Sequence, residues 1–150
     1  AMGAEVTAVD RAMKADAVRR FGADHFIDYE NEDFAARGDL YDVIFDMVPG
    51  SSYAGCINLL KPNGRYISGN PRLSVMLRSL FTNRFTDKTA SFAFARESSE
   101  ELLALKEMIE DGKVGSIVDR VFPMDRAADA HRLVDTEQRR GAIVIAMGNA

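Results

Sequence analysis

Apolar and polar positions along this chain switch repeatedly between the alternation of a strand and the three-to-four spacing of a helix. The clearest stretch is Tyr41-Asp42-Val43-Ile44-Phe45-Asp46-Met47-Val48-Pro49-Gly50. Its β-branched and aromatic centre lies between Asp42 and Asp46, breaks at Pro49-Gly50, and is followed by Ser51-Ser52, which can cap a helix. That order predicts a fully buried parallel strand, a turn and a helix. In an open α/β sheet the ligand crevice lies beyond the carboxyl ends of the strands, so Asp46, Met47 and Val48 are placed at that edge. The same pattern also describes a plain core strand with a polar terminator.

Ala1-Met2-Gly3-Ala4 reads as the tail of a helix with its glycine stop. Glu5 to Asp10 alternates and predicts a strand ending at Asp10. Met13 to Phe21 predicts a helix with Gly22 as its C-terminal residue. Phe26-Ile27 predicts a short strand closing at Asp28-Tyr29, and Phe34 anchors one helical turn in the polar segment 30–39. Beyond the central strand, a helix capped by Ser51 or Ser52 turns Tyr53, Cys56, Ile57 and Leu60 inward. Pro62-Asn63-Gly64 marks a turn, and Arg65 to Ser68 a strand that Gly69-Asn70-Pro71 breaks. Leu73 to Phe81 is apolar, with Arg72, Arg78, Arg84 and Lys88 punctuating or flanking it. The favoured reading is a helix whose apolar side covers the core; the other is a helix lying on a membrane surface. Residues 89–95 alternate as a strand. Ser98 and Glu101 form a capping box before Leu102, Leu105, Met108 and Ile109, with Gly112 ending the helix. Ile117 to Phe122 is extended up to Pro123, Asp125 can cap a helix holding Ala128, His131 and Val134, and Gly141 to Ala146 is the last strand. Strands alternating with helices over 150 residues predict one α/β domain with a doubly wound, mostly parallel sheet.

Composition narrows the function classes. A chain with 47% hydrophobic and 28% charged residues is ordinary globular material. Its net charge of -4 gives no basic footprint for nucleic acid. No apolar run approaches the roughly 20 residues that cross a bilayer, so no membrane partner is expected. Glu5 and Asp10 interrupt any apolar leader. Cys56 is the single cysteine, and His25 and His131 lack ligand spacing, so a zinc site built within this chain is not expected. These features suit a reducing cytoplasm.

Several stretches, in order along the chain, carry a resemblance. They are Phe21-Gly22-Ala23-Asp24-His25-Phe26-Ile27-Asp28-Tyr29, Tyr41-Asp42-Val43-Ile44-Phe45-Asp46, and Leu59-Leu60-Lys61-Pro62-Asn63-Gly64-Arg65-Tyr66. Ile109-Glu110-Asp111-Gly112-Lys113 with Ile117-Val118-Asp119, and Arg140-Gly141-Ala142-Ile143-Val144-Ile145, complete the set. Together they resemble the cofactor-binding half of the medium-chain dehydrogenase/reductase superfamily, nearest its zinc-free quinone reductase-like branch. The resemblance implies a Rossmann-like domain over residues 1–150 that lacks the first strand and its glycine-rich turn; no G-x-G-x-x-G occurs in the sequence. The family has Gly where this chain has Pro49, which implies a stiffer loop. It also implies that 117–122 and 141–147 return to a catalytic domain outside this sequence. The absent strand would lie between those ending at Asp10 and Asp46. The two are therefore expected to pair directly, or 141–146 to fill the slot, or the chain to dimerise.

The resemblance also assigns cofactor-binding residues. Asp10 falls where an acid binds the adenosine ribose hydroxyls, a place equally suited to a polar strand end or helix cap. Lys14 and Arg11 fall where the resembled reductases hold a 2′-phosphate; Lys14 otherwise belongs to a solvated helix face. Tyr29 matches a tyrosine on the adenosine phosphate side, or packs on Phe26. Val48 and Gly69 match positions lining the nicotinamide, or are turn residues. Two cations against one carboxylate favour NADP(H), with NAD(H) as the alternative. His131 is expected to be partly buried, and Cys56 to be a small core residue. No catalytic residue is assigned. The implied function is hydride transfer from NAD(P)H to a quinone, enone or carbonyl compound, with this chain inactive by itself. The alternative is a non-catalytic assembly module, a homo-oligomer paired through strand 89–95. A methyltransferase would also carry an acid at the end of its second strand, but the later stretches follow the reductase order.

Overall fold

The computed structural model describes residues 3–48, 51–94, 98–115, 117–136 and 139–148. The chain divides into two compact units, Asp33–Glu97 and a second one made of Ala1–Glu32 with Ser98–Ala150.

In the unit of Asp33–Glu97, strands β3 (Tyr41–Asp46), β4 (Leu60–Ser68) and β5 (Thr89–Phe92) form a parallel sheet in that order. Helix α2 (Tyr53–Asn58) starts where the Ser52 hydroxyl accepts the Gly55 N–H at 3.1 Å. It buries Tyr53 and Cys56 against Leu60, Tyr66 and Ala90, with Phe34, Ile44, Ile57 and Val75 around them. The Tyr53 and Tyr66 rings meet edge to face at 5.1 Å. Phe34 opens a single 3-10 turn, Phe34–Ala36, capped by Asp33. Helix α3 (Leu73–Phe85) is tied to β5 by the Asn83 amide, which takes both backbone polar groups of Ala90, at 2.7 and 2.9 Å.

In the other unit, β1 (Thr7–Asp10) pairs in parallel with β2 (His25–Asp28), joined through a 3-10 turn (Ala12–Lys14) and α1 (Ala15–Arg20). Gly22, at φ +90°, stops α1 in a conformation L-residues rarely adopt, and its N–H returns to the Arg19 carbonyl. Helix α4 (Ser99–Glu110) begins with the Ser98 hydroxyl on the Glu101 N–H. Strand β6 (Val118–Pro123) pairs in parallel with β7 (Ala142–Ala146), and α5 (Ala127–Asp135) connects them. The buried apolar residues here, Ile27, Phe122 and Ala130, are few.

The fold is α/β with parallel ladders throughout the described residues, as a Rossmann-like domain requires. Several expectations need correction. β3 is not buried on both faces: Val43 and Phe45 are exposed while Ile44 turns in, because the buried cluster of this unit packs on the Ile44 face. Among the described residues β1 pairs with β2 and β7 with β6, and β3 pairs with β4, in place of the pairings expected across the missing strand. Pro62-Asn63-Gly64 turns within β4 rather than before it. The register jumps there, Asn63 takes φ +62°, and a Cβ on Gly64 would sit 2.8 Å from the Lys61 carbonyl oxygen. Asp125 does not cap α5; it lies inside a 3-10 turn, Met124–Arg126, and Arg126 occupies the cap position. His131 is exposed, not partly buried. The apolar side of α3 does not cover the core. Ser79 and Thr82 face inward, and the large apolar side chains are exposed. The expectations for Ala1-Met2, for the Pro49-Gly50 turn and for Ala95 as the end of a strand lie outside the described residues.

Candidate functional site

Two aspartates end parallel strands, one in each unit, and the surroundings of each are distinct.

β1 delivers Asp10 at its carboxyl end, and the 3-10 turn that follows returns Lys14 beside it. The Lys14 Nζ lies 3.0 and 3.2 Å from the two carboxylate oxygens, and one of these accepts the Arg11 backbone N–H at 2.8 Å. β2 ends alongside, where the Tyr29 N–H reaches the Asp10 carbonyl at 3.4 Å. The Arg11 Nε–H is shared between the Tyr29 hydroxyl at 2.9 Å and the Glu30 carboxylate at 3.1 Å. The structure therefore brings Asp10, Arg11, Lys14 and Tyr29 together at one strand edge. Glu30 is the member that sequence reasoning missed. It sits in a polar turn held by Asp28, whose carboxylate accepts the Glu30 N–H and the Asn31 amide, so no periodicity marks it. With Asp28 and Glu30 the edge holds the carboxylates of Asp10, Asp28 and Glu30 beside the two cations Arg11 and Lys14. The aromatic ring of Tyr29 is exposed, and its hydroxyl serves Arg11.

At the end of β3, Asp46 is held by hydroxyls and a backbone amide, with no cation on it among the described residues. One carboxylate oxygen accepts the Val48 N–H at 3.0 Å; the other accepts the Tyr66 hydroxyl at 2.7 Å and the Ser51 hydroxyl. The Gly69 N–H donates to the Asp46 carbonyl at 2.9 Å, so Val48 and Gly69 belong to the same edge. A Cβ on Gly69 would lie 2.1 Å from the Met47 sulfur, so the thioether occupies the space over this glycine. Met47 is more than half exposed and can swing aside. Beneath the edge, burial and then the Asp46 hydrogen bond push the Tyr66 hydroxyl far above its ordinary range. Burial, with the Asp46 charge second, pushes the Cys56 thiol up to about 11. Cys56 is thus a neutral core thiol and no nucleophile.

Chemically, the first edge suits hydroxyl and phosphate recognition, because it combines a strand-end carboxylate with movable cations. The second presents a fixed backbone turn with a glycine. Among the described residues no group of three or more His, Cys, Asp or Glu is arranged to hold a metal ion. None of those residues forms a helix long and apolar enough to cross a membrane.

A family model described as "Zinc-binding dehydrogenase" matches residues 21–145. The NADPH-dependent alkenal/one oxidoreductase of Arabidopsis thaliana, a chloroplastic protein, is 31% identical over 94% of this chain and 33% of its own length. A mitochondrial NAD(P)H oxidoreductase of Mus musculus is 29% identical over 97% of this chain and 42% of its own length. The solved quinone oxidoreductase from Coxiella burnetii superposes with a TM-score of 0.82 at 25% identity, over 97% of this chain and 46% of that one. The chain thus spans less than half the length of the relatives it matches.

Proposed function

The chain belongs to the zinc-binding dehydrogenase family, in the quinone oxidoreductase branch of the medium-chain dehydrogenase/reductase superfamily, and on that premise we propose that it holds the adenosine half of a nicotinamide cofactor. The observation that carries this reading is the convergence of Asp10, Arg11, Lys14 and Tyr29 at the carboxyl edge of β1 and β2. The Asp10 carboxylate accepts hydrogen bonds from the ribose hydroxyls. Lys14 Nζ turns from Asp10 towards a 2′-phosphate, and Arg11 leaves Glu30 to join it. This favours NADP(H). NAD(H) is the second reading, because Glu30 balances the second cation and opposes a phosphate. Within the unit of Asp33–Glu97, the family resemblance gives Val48 and Gly69 to the nicotinamide, and the exposed Met47 side chain over Gly69 would have to move aside.

The bound nicotinamide supplies hydride transfer. In a protein of the relatives' length the acceptor is a quinone, enone or similar carbonyl compound, as the relatives' names suggest. This chain by itself is inactive, because its sequence contains no G-x-G-x-x-G turn for the pyrophosphate. A reducing compartment such as the cytoplasm suits its single cysteine, buried at Cys56.

Backbone amide NMR with 2′,5′-ADP and 5′-AMP tests the site. Shifts should appear at residues 10, 11, 14 and 29 with both ligands, and 2′,5′-ADP should bind about tenfold tighter, a margin that Lys14→Ala removes. Silence at all four amides would reject the site; equal affinities would select NAD(H). Turnover of NADPH with an enone by the chain alone would overturn its inactivity.

Assembly is a further reading. β5 is a terminal strand of its ladder among the described residues, although Asn83 already satisfies the backbone of Ala90, so strand pairing with a second copy would begin near Phe92. Sedimentation of wild type and Phe92→Pro distinguishes the cases, since an unchanged mass dismisses the strand.

A further inference from the structure

At the edge of β1 and β2 the two cations face different carboxylates. Lys14 Nζ lies against both oxygens of Asp10, and one of these also accepts the Arg11 backbone N–H. The Arg11 side chain turns elsewhere, although Asp10 is its neighbour in sequence. Its Nε–H meets the Tyr29 hydroxyl at 2.9 Å and the Glu30 carboxylate at 3.1 Å, both just beyond the end of β2.

Glu30 is held there by its backbone. The Asp28 carboxylate accepts the Glu30 N–H at 3.1 Å and the Asn31 side-chain amide at 2.6 Å. The Asp28 carbonyl accepts the backbone N–H groups of Asn31 and Glu32 at 3.1 and 2.8 Å. Together these bonds close a turn in which an aspartate side chain caps the N–H two residues on. Asp28 is thus engaged with its own turn and Asp10 with Lys14, while Glu30 is paired with the Arg11 guanidinium. A guanidinium binds carboxylate and phosphate oxygens through the same charge-assisted N–H···O bonds. A carboxylate already seated on Arg11 therefore competes with an incoming phosphate, and being tethered it competes at a fixed effective concentration. The Arg11 and Glu30 side chains are 34% and 53% exposed, so the pair is weak enough for a ligand to displace.

We propose that Glu30 is the specificity-determining residue of this edge. Its carboxylate occupies Arg11 in place of a 2′-phosphate and so limits the preference for a phosphorylated nucleotide that Lys14 provides. Lys14 sets the direction of that preference and Glu30 its size, a division that rests on the cofactor reading and deepens it.

Dissociation constants of 2′,5′-ADP and 5′-AMP, read from backbone amide shifts in the full chain, test the assignment. In Glu30→Ala the affinity for 2′,5′-ADP should rise about fivefold, the worth of one partly exposed ion pair, with 5′-AMP unchanged. Adding Arg11→Ala to Glu30→Ala should abolish the gain, because the cation that Glu30 had occupied is gone. Glu30 is exposed and its bond to Asp28 is made by the backbone, so thermal midpoints should match the wild type. Should Glu30→Ala fail to fold, Glu30→Gln removes the charge at nearly constant shape, and the same ratio of affinities decides. An unchanged ratio, or a gain of the same size when Arg11 is absent, overturns the proposal and leaves the cofactor reading standing. So does an equal rise for both nucleotides, which reports a structural change and not a phosphate contact. If neither nucleotide shifts the amides of residues 10, 11, 14 and 29, the cofactor reading itself fails, and the role of Glu30 with it.

Discussion

Asp10 and Asp46 occupy equivalent places, each the last residue of a parallel strand, yet they are held by opposite means. Asp10 is neutralised by Lys14, and its neighbour Arg11 by Glu30, through partly exposed ion pairs. Asp46 is held by two hydroxyls and a backbone N–H, one of the hydroxyls belonging to Tyr66, which is 1% exposed. Ion pairs in water exchange partners at little cost, whereas a buried hydroxyl that loses an acceptor cannot turn to water instead. The difference separates a place that can trade its internal partners for a ligand from one that fixes the shape of a turn.

The largest expected effect breaks the second edge. Asp46→Ala should lower unfolding free energy by about 2 kcal/mol, because it removes an acceptor shared by the Tyr66 and Ser51 hydroxyls and the Val48 N–H and leaves Tyr66 only the Ser68 hydroxyl, while Asp10→Ala should cost under about 1 kcal/mol. Urea titrations of both variants measure the contrast, and equal losses would remove the distinction. Alkaline titration follows. The Cys56 thiol is raised from an ordinary 9.0 to about 11 in the folded chain, so the folded state keeps its proton longer. Its contribution is complete below pH 9 and fades as pH rises through about 11, on the order of 2 kcal/mol. Tyr66 shifts in the same direction and steepens the fall. Cys56→Ala should flatten that part of the stability profile. Gly64→Ala, which forces a Cβ against backbone, should cost about 2 kcal/mol, whereas Gly69→Ala need only displace an exposed Met47 side chain and should cost under about 1 kcal/mol. The smallest effect lies at the first edge: about 1 M salt should leave the Asp46 network intact while weakening the Lys14–Asp10 pair by a few tenths of a kcal/mol. A double-mutant cycle at low and high salt reads it.

Much of this was legible in the sequence because local rules and tertiary context agreed. β1, β2, the Tyr41–Asp46 strand, the Ser98 cap and the glycine stop at Gly22 follow from residue type alone. The pairing of Lys14 with Asp10 is not read from the sequence, which gives Lys14 to a phosphate or to a solvated helix face. Other features lie where pattern is silent. Periodicity shows that Leu73 to Phe81 has an apolar face, but not whether anything covers it; the inward Thr82 pairs with the Tyr53 hydroxyl, and the inward Ser79 hydroxyl is satisfied by the Met76 carbonyl of its own helix. Asp125 has the residue type of a cap, yet a 3-10 turn at Met124–Arg126 shifts the helix start by a residue. Glu30 carries no periodic signal, and its importance depends on Arg11, which is distant in sequence.

The buried thiol has a further use. Cys56 is 3% exposed, packs against Leu60 and Tyr66, and is the single cysteine. An alkylating reagent can reach it only when the helix carrying it lifts away, so the labelling rate times how often that happens. The chain therefore contains its own stopwatch for breathing around α2, readable by mass spectrometry without any engineered probe.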